Sequence, residues 1–454
     1  MLRQKWFGQG YGKAFVAAIM LLSITCTSHA NFGDFFGGRS AVGGISINAE
    51  GVLAGMTSGQ FEDIRRERVR NMDATPEALG EETELRRVSL RKLQEEIAKS
   101  GETDLQKLPH HLRYLAGLQR VQYVFVYPEQ KDIVLVGPGE GWTVNGEGVV
   151  VGQQSQRPVM NLEDLISALR FAHSPQRHVI SCSIDPTPEG MKRFEEVNAS
   201  FQRRPPSTQA AMKMIEKAMG GQTITVSGID PESRFARVLV AADYRMKRLA
   251  MGFDKVRRFP SFLSMLKSSR LQNAMPRWWL EDDYEALRTD EEGLSFELRG
   301  QGVKAMTEAE SLAADGTRVG TGQADPLAKK WADRMTKDYE KLSDKAPVFA
   351  ELRNCMDLAV VAALIASEDL GDRAGLDLGV LLDPESVKLP RYVAPREVPT
   401  IASSAKVRGG TAITASGGVS LNPWTIIQNR KTDEAVAEQR TDATEPTNAD
   451  WFWN

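Results

Sequence analysis

The chain has 454 residues, of which 41% are hydrophobic and 26% charged, and its formal net charge is -3 at pH 7. This length is enough for two or three domains. The slight excess of acidic residues argues against a nucleic-acid-binding protein, because neutralising phosphate groups requires a concentrated basic surface.

The first 30 residues have the pattern of a secretory signal peptide. Three basic residues precede an apolar run at 14–25, and Ser28 and Ala30 provide the small residues of a cleavage site. This run is shorter than the roughly 20 residues that span a bilayer. We therefore predict cleavage after Ala30 and a periplasmic or secreted product without an integral membrane span. A retained membrane anchor and a lipoprotein modified at Cys26 are the alternatives.

Composition divides the rest of the chain into four segments. The first is glycine-rich and then forms charged helices, the second and third alternate strand and helix patterns, and the fourth is rich in proline, glycine and polar residues. Their predicted bounds are 31–105, 106–202, 207–385 and 386–454. The expected fold class is α/β to α+β, with a mixed sheet, hairpins, several packing helices and an extended, disordered C-terminal tail.

The second segment begins with a predicted hairpin. Its strands, at 121–128 and 133–137, contain β-branched and aromatic residues and flank a turn. A helix follows Asn161, its expected N-cap, and Glu163 and Asp164 lie in the first turn, where the helix dipole stabilises negative charge. This alternation of strands and helices predicts a mixed sheet.

The third segment contains the helix around which we expect the fold to form. At 235–252, apolar residues recur with the spacing of one helical face, and Gly252 ends the pattern. A tryptophan-bearing hairpin that turns at 290–293 follows it. The stretch 347–370 is apolar nearly all round its middle, so we expect that helix to lie in a core.

Three glycine- and asparagine-containing stretches resemble one another, at 43–52, 141–150 and 417–422. They are related hairpin turns, strands of one sheet, or independent examples of the same turn chemistry.

Two cysteines follow the signal peptide, Cys182 and Cys355. An even number in an oxidising compartment favours a disulfide. Both lie in apolar stretches, so two buried free thiols are the alternative. Cys182 could also act as a thiol nucleophile with His173 or His178 as its base, whereas the simpler interpretation is a structural cysteine in a buried strand.

The sequence has no recognisable cofactor or metal motif. The glycine-rich run 137–152 leads into a strand instead of a helix and lacks a Gly-Lys-Ser/Thr end, so it does not predict a nucleotide site. No HExxH or paired-cysteine spacing predicts zinc. We therefore expect no cofactor and no metal.

Two candidate sites lie in the third segment. Trp278, Trp279 and Tyr284 could form an aromatic platform for a ligand, because adjacent strand residues point to opposite faces, and anchoring in the core is the alternative. The acidic residues of 281–285 and 290–292 could supply a carboxylate pair for hydrolysis, and hydrated surface acids are the alternative.

Several stretches between residues 120 and 370 resemble an uncharacterised domain-of-unknown-function family found in secreted proteins of planctomycete bacteria. They are VGPGEGWTV, RPVMNLEDLISALR, SCSIDPTPEGMKRF, FARVLVAADYRMKRLAMG, GQGVKAMTE and FAELRNCMDLAVVAALI. The resemblance implies an extracytoplasmic location, and it implies no activity, ligand or catalytic residue.

These patterns do not specify a function. Our leading hypothesis is a structural or binding role outside the cytoplasm, with a protein partner in the cell envelope and no nucleic acid. The rival is a hydrolase with a non-standard carboxylate or cysteine site.

Overall fold

The computed structural model describes residues 42–175, 178–266, 276–312, 318–405, 411–413, 415–444 and 450–454. All of them belong to one unit that extends from Gly38 to Asn454. The predicted signal peptide, residues 1–30, lies outside the described residues.

The α-helices of the described residues are α1 Ser58–Asn71, α2 Leu90–Ser100, α3 His110–Arg113, α4 Leu162–Ala172, α5 Pro188–Arg203, α6 Thr208–Met219, α7 Arg234–Ala250, α8 Phe262–Met265, α9 Pro326–Lys337, α10 Tyr339–Ser343, α11 Pro347–Ser367, α12 Leu370–Ala374, α13 Gly379–Leu382, α14 Pro423–Gln428 and α15 Ala435–Asp442. Within this part of the chain, no helix combines the length and the apolarity needed to cross a bilayer.

The strands are β1 Ile45–Ile47, β2 Leu53–Gly55, β3 Thr83–Ser89, β4 Tyr123–Tyr127, β5 Asp132–Gly139, β6 Trp142–Val144, β7 Val150–Gly152, β8 Ile180–Pro186, β9 Gly221–Ser227, β10 Arg277–Asp283, β11 Leu287–Thr289, β12 Ser295–Glu297, β13 Gly302–Glu308, β14 Glu310–Leu312, β15 Arg318–Gly320, β16 Glu397–Pro399, β17 Ser403–Ala405, β18 Thr411–Ile413, β19 Ser416–Leu421, β20 Arg430–Thr432 and β21 Phe452–Trp453.

A six-stranded mixed sheet has the strand order β13-β10-β19-β8-β9-β16. The pair β10–β19 is parallel, and the other neighbours are antiparallel. Buried and half-buried residues alternate along β8 from Ile180 to Pro186, as expected for a strand with one face on a core. Helix α7 packs against β8 and β19.

A seven-stranded sheet has the order β20-β11-β12-β4-β5-β3-β21. Its pairs are antiparallel except β11–β20. The hairpin β4–β5 lies near its centre, and apart from Tyr123 and Pro138 all residues of these two strands are buried. This burial explains why both strands read as nearly continuous apolar runs in the sequence.

Helices α7 and α11 pack against each other in the core. Helix α7 begins after Ser233, whose side chain accepts a hydrogen bond from the N–H three residues later. All of its residues except Arg234, Arg245 and Arg248 are buried. Helix α11 is buried from Pro347 to Ile365. Polar residues on these two helices therefore need partners inside the protein.

The predicted α+β character is confirmed. The sheets are mixed, β4–β5 and β11–β12 form hairpins, and helices pack around them. The predicted helices at 235–252 and 347–370 correspond to α7 and α11. The tryptophan strand β10 differs from the prediction, because it joins the six-stranded sheet while the hairpin partners β11 and β12 belong to the other sheet.

The charged stretch before residue 100 is not helical throughout. Residues 83–89 form strand β3, which pairs with β5. Pairing with β5 is the reason, and it buries Arg86, whose guanidinium donates to the carbonyl oxygens of Ala116 at 2.5 Å and Glu81 at 3.0 Å. The strand partner lies more than 40 residues along the chain, so the polar composition of the stretch does not reveal the pairing.

The C-terminal segment 386–454 contributes strands to both sheets and also forms helices α14 and α15, which differs from the predicted extended, disordered tail. Strands β16 and β19 join the six-stranded sheet, to which 106–202 contributes β8 and 207–385 contributes β9, β10 and β13. Strands β20 and β21 join the other sheet, and Trp451 and Trp453 are buried. Residues of this segment become buried because they contact strands that are distant in sequence, and its polar composition does not predict this burial.

Two of the three similar asparagine stretches form the same turn. In the β1–β2 hairpin Asn48 Oδ1 accepts from the N–H of Val52 at 2.7 Å, and in the β6–β7 hairpin Asn145 Oδ1 accepts from the N–H of Val149 at 2.9 Å. The third stretch forms the central strand β19 instead. The first two stretches are therefore hairpin turns of the same geometry, which relatedness and independent use of the same turn chemistry both explain.

Candidate functional site

A polar cavity of about 340 Å³ lies between α1, the β6–β7 hairpin and the first turns of α4, α7 and α11. This size is within the range of small-ligand sites. The cavity is lined by Glu67, Arg68, Asn71, Met72, Gln106, Lys107, His110, Arg113, Tyr114, Val149, Val150, Asn161, Glu163, Arg234, Glu351 and Tyr392.

Three helices bring charged residues to the floor of this cavity. Glu163 lies in the first turn of α4, Arg234 is the first residue of α7, and Glu351 lies near the start of α11. Asp164, also in the first turn of α4, contacts Arg234 but does not line the cavity. Asn161 precedes α4 as expected, but its side chain donates to the carbonyl oxygen of Val159 instead of capping the helix. The three helices pack against one another, so their packing fixes the spacing of the floor residues.

Arg234 holds the floor together by three contacts. Its Nη1 bonds to Asp164 Oδ2, its Nη2 bonds to Glu351 Oε1, and its backbone N–H donates to Glu163 Oε1 at 3.3 Å. Burial alone would lower the pKa of Arg234, but the two neighbouring carboxylates outweigh burial and raise it. The guanidinium therefore stays charged, and Asp164 and Glu351 are its counterions.

The surroundings of Glu163 favour its protonated form. Burial, followed by the adjacent Asp164, raises the pKa of its carboxyl group to about 8. Tyr392 donates its hydroxyl to Glu163 Oε2 at 3.1 Å, and the Tyr392 ring is covered by the Arg237 guanidinium at 4.8 Å. A buried glutamic acid in this state can donate a hydrogen bond or a proton.

Glu351 supplies an unused hydrogen-bond acceptor. Its side chain is 5% exposed, its Oε1 is occupied by Arg234, and its Oε2 accepts no hydrogen bond from the described residues. Burial raises the pKa of this carboxyl group, while the guanidiniums of Arg234 and Arg68 oppose the effect. Leaving such an oxygen unsatisfied costs about 1–3 kcal/mol, so the site favours an occupant that donates a hydrogen bond.

The mouth of the cavity contains further charged groups. Arg68 Nη1 donates to the carbonyl oxygen of Gly148 in the β6–β7 turn at 2.5 Å. His110 Nδ1 lies 2.7 Å from Asp73 Oδ2, and this contact lowers the pKa of Asp73. Lys107 is exposed. Solvent-exposed side chains at the mouth and buried ones on the floor describe a site that opens to solvent on one side.

A larger groove of about 970 Å³ runs between α4 and the segment 384–391. Its charged lining residues already have partners: Arg170 donates to three backbone carbonyls, and Arg391 pairs with Glu232 at 2.7 Å. No buried side-chain atom without a hydrogen-bond partner lines this groove among the described residues. The smaller cavity is therefore the stronger candidate site, despite its lower volume.

The three residues of the predicted aromatic platform do not form one surface. Trp278 is fully buried, with its ring centre 4.9 Å from that of Phe262 and 5.0 Å from that of Trp331. Trp279 is half-buried, and Tyr284 donates its hydroxyl to a buried aspartate on α11. Trp278 anchors the core, as the alternative interpretation proposed. None of the three residues is part of the cavity lining.

The predicted disulfide is absent, because Cys182 and Cys355 are both free and buried. Cys182 lies on β8 near the Asp243–Lys247 ion pair, and Cys355 lies on α11 beside Asp164, so their thiols face different neighbours. Burial raises both thiol pKa values well above the ordinary value. Both are therefore poor nucleophiles.

The proposed histidine bases and the acidic cluster also lie away from the cavity. His173 and His178 are exposed, and His173 Nδ1 lies 2.8 Å from a carbonyl oxygen of its own helix. On β10, Glu281 pairs with Lys304 at 3.5 Å, and Asp282 accepts the backbone N–H of residue 422 at 3.2 Å. No group of three or more His, Cys, Asp or Glu side chains among the described residues could hold a metal ion.

Sequence reasoning placed Glu163 and Asp164 in the first turn of a helix, but it identified neither them nor Arg234, Glu351 and Tyr392 as site residues. A usable signal was present in α11, because an otherwise apolar buried helix carries charged residues that each need a partner. The structure supplies a partner for each of them: Arg234 for Glu351, Glu340 for Arg353 and Arg120 for Asp357. Only Glu351 of these three residues lines the cavity, so charged residues inside the apolar helix pattern indicated buried ion pairs but did not distinguish the site from them.

Residues 182–262 match the model of a family described as a protein of unknown function, DUF1598. The matched region runs from β8 to the start of α8 and contains Arg234, whereas Glu163, Glu351 and Tyr392 lie outside it. No curated protein and no solved structure matches the chain.

Proposed function

We propose that this chain is an extracytoplasmic binding protein whose polar cavity holds a small ligand against Glu163, Arg234 and Glu351. One observation carries the proposal: Glu351 lines the cavity, and its buried Oε2 atom has no hydrogen-bond partner among the described residues. Clusters of buried ionisable groups with shifted pKa values beside a cavity are typical of functional sites.

The cost of building the floor supports a functional role. Burying three acidic groups beside one arginine costs several kcal/mol of desolvation, which the ion pairs offset only in part. Well-packed apolar residues at these positions would make the protein as stable or more stable. These buried charged groups do not increase the stability of the fold, so we attribute them to the binding of a ligand.

A thermal-shift screen of the mature protein against small polar metabolites tests the proposal. We expect at least one compound to raise the melting temperature of the wild type and to have a smaller effect on Glu351→Gln. The control Glu281→Gln changes a glutamate on β10, outside the cavity, and should respond like the wild type. If no compound stabilises the wild type, or if both variants respond like it, the binding site is not this cavity.

A second candidate function is hydrolysis, and the raised pKa of Glu163 favours it. A neutral carboxylic acid beside ionised carboxylates can protonate a leaving group, while Glu351 can accept a proton from the attacking water. Glu163→Gln separates the two functions because glutamine keeps the size and the hydrogen-bonding capacity of the acid but transfers no proton. A hydrolase loses turnover and keeps binding in this variant, whereas a binding protein shows no turnover in either form.

The proposal has three further parts. The protein is located outside the cytoplasm, it belongs among secreted proteins of planctomycete bacteria, and it has a protein partner in the cell envelope. The pattern of the first 30 residues and the resemblance described above support the first two. N-terminal sequencing of the product from envelope and culture fractions tests the location, and we expect it to begin at Asn31. A product that keeps Met1 and stays in the cytoplasm would contradict it.

Crosslinking in the envelope fraction tests the partner, and recovery of the uncrosslinked chain alone would contradict that part.

A further inference from the structure

A second, smaller cavity of about 40 Å³ lies between the C-terminal end of α7 and the six-stranded sheet. Roughly 10–15 Å³ of such volume holds one water molecule, so this cavity is large enough for a compact group of a few heavy atoms. It shares no lining residue with the polar cavity described above. Its wall is mainly apolar and is formed by Ile184, Met251, Phe253, Val398, Ile401 and Ala415.

Phe253 places this cavity next to the protein surface. Its side chain is 38% exposed, and the guanidinium of Arg248, which also lines the cavity, lies over the ring at 5.8 Å. Apolar cavities stay dry and bind apolar molecules. The cavity therefore suits an apolar molecule that enters from solvent.

Lys247 brings a buried ammonium group to this apolar wall. Its side chain is 9% exposed, and its Nζ donates to Asp243 Oδ2 at 2.8 Å and to the carbonyl oxygen of Ile184 at 3.1 Å. An ammonium group has three donors, and these two contacts use two of them. The third donor is available to an acceptor in the cavity.

Gln222 is a second buried polar residue of the lining. It is 5% exposed, and it lies on the same face of β9 as the buried Ile224, two residues further along the strand. Its side-chain amide makes no hydrogen bond to the described residues. A buried amide without a partner is unfavourable, so the site favours an occupant that pairs with it.

These two residues select the head group of the occupant. Lys247 only donates hydrogen bonds, whereas Gln222 can donate through its Nε2 and accept through its Oε1. None of the described lining residues is acidic, so the lining offers no carboxylate to an ammonium group. The oxygen of a carbonyl or carboxylate group can accept from both Lys247 and Gln222.

We infer that this cavity is a second binding site, for a small apolar molecule with one carbonyl or carboxylate head group that accepts from Lys247 and Gln222. The inference does not depend on the polar cavity or on its proposed ligand. Seven of the eleven lining residues lie within the matched region 182–262, which contributes only Arg234 to the polar cavity. The matched region therefore builds most of this second site.

Isothermal titration of the mature full-length protein with three probes tests the inference. Isovalerate, isovaleramide and 3-methylbutylamine share an isobutyl group and differ in the head, which is a carboxylate, an amide or an ammonium group. We expect at least one of the two acceptor probes, isovalerate and isovaleramide, to bind, and the amine to bind at least about tenfold more weakly. The relative affinities of the two acceptor probes show whether the preferred head is charged.

Two variants locate the binding. Gln222→Leu keeps the approximate size of the side chain and removes its amide, so we expect it to bind the acceptor probe about tenfold more weakly. Ile401→Trp fills the cavity from a half-buried position, and it should abolish binding even if Gln222→Leu does not fold. The control Gln209→Leu makes the same change at an exposed position of α6 and should bind with wild-type affinity.

Three results would overturn the inference. They are an amine that binds more tightly than both acceptor probes, an acceptor probe whose affinity is unchanged in Ile401→Trp, and a wild type that binds none of the three probes. The metabolite screen reports on the polar cavity through Glu351→Gln, and this titration reports on the second cavity through Gln222→Leu and Ile401→Trp. Failure of one site is therefore distinguishable from failure of the other.

Discussion

Glu140 and Glu163 are both buried glutamates, yet their surroundings shift their pKa values in opposite directions. Burial raises the pKa of Glu140, but hydrogen bonds from Ser155, Gln154 and Gln119 outweigh burial and lower it overall. At Glu163, burial and Asp164 outweigh every stabilising contact. The first residue therefore acts as an ionised structural acceptor, and the second as a neutral acid at the floor of the cavity.

The raised pKa of Glu163 predicts that stability falls as the pH rises. Between the unfolded pKa of 4.5 and the folded value of about 8, the folded state binds a proton that the unfolded state releases. The free energy of unfolding should therefore decrease from pH 5 to pH 8, by on the order of 3 kcal/mol more in the wild type than in Glu163→Gln. Urea denaturation at both pH values measures this difference. Identical pH dependence in the two proteins would show that Glu163 is ionised when folded.

A matched pair of substitutions compares two kinds of buried carboxylate. Glu140→Gln replaces an acceptor of three hydrogen bonds, so we expect it to lower the free energy of unfolding by about 2–3 kcal/mol. Glu351→Gln removes one of the two counterions of the buried Arg234, so we expect a loss of about 3 kcal/mol or more. Chemical denaturation at pH 7 compares them. A loss below about 1 kcal/mol for Glu351→Gln would show that Asp164 alone balances the charge of Arg234.

At the scale of elements, strand β10 shows how the alternation of side chains along a strand determines which of two neighbouring residues is buried. Trp278 and Trp279 point to opposite faces of the sheet. Trp278 is buried against Phe262 and Trp331 and donates its Nε1–H to a carbonyl at 3.3 Å, whereas Trp279 is half-buried and its Nε1 donates to Glu281 at 3.1 Å. One tryptophan belongs to the core and the other to the surface.

Alanine substitutions should reproduce this difference. Trp278→Ala leaves a large internal cavity, and we expect it to lower the free energy of unfolding by about 3–5 kcal/mol. Trp279→Ala removes contacts that solvent replaces in part, and we expect a loss of about 1 kcal/mol. Thermal and urea denaturation of the two variants checks both values. Equal losses would contradict the assignment of the two faces.

Elements with a strong local pattern could be predicted from the sequence, and elements that depend on distant partners could not. The apolar spacing of α7 and the β4–β5 hairpin signal are local. Strand β3 was predicted as helix because its strand partner β5 lies more than 40 residues away in the sequence. Strand β19 is rich in glycine and serine, and it is central only because β8 and β10 flank it.

The candidate site was only partly predictable for the same reason. Glu163 and Asp164 were recognised as acids in the first turn of a helix. Their partners are far along the chain, with Arg234 71 positions from Glu163, Glu351 117 positions from Arg234, and Tyr392 229 positions from Glu163. Side chains that meet only after folding leave no short motif in a single sequence.

At the scale of the whole molecule, the chain end closes the edge of the seven-stranded sheet. Phe452 and Trp453 pair with β3, and Trp451 packs against Phe452 with 5.4 Å between their ring centres. An open sheet edge is a site for association with other chains. The terminal aromatic residues therefore cover an edge that the protein would otherwise expose.

Deleting residues 451–454 tests this role. We expect a loss of about 2–4 kcal/mol of stability, because two buried tryptophans and the outer strand are removed, together with an increased tendency to associate. Denaturation and size-exclusion chromatography measure the two effects, and removal of Asn454 alone is the control. A deletion variant that is as stable and as monodisperse as this control would show that the end does not contribute to the fold.

The central claim is that the cavity bounded by Glu163, Arg234 and Glu351 binds a small polar ligand. A crystal structure of the mature protein soaked with the tightest-binding compound tests this claim most directly. We predict ligand density in the cavity, with a donor atom about 2.7–3.2 Å from Glu351 Oε2. Density at another surface, with Glu351 Oε2 bonded to a side chain of the protein itself, would contradict it.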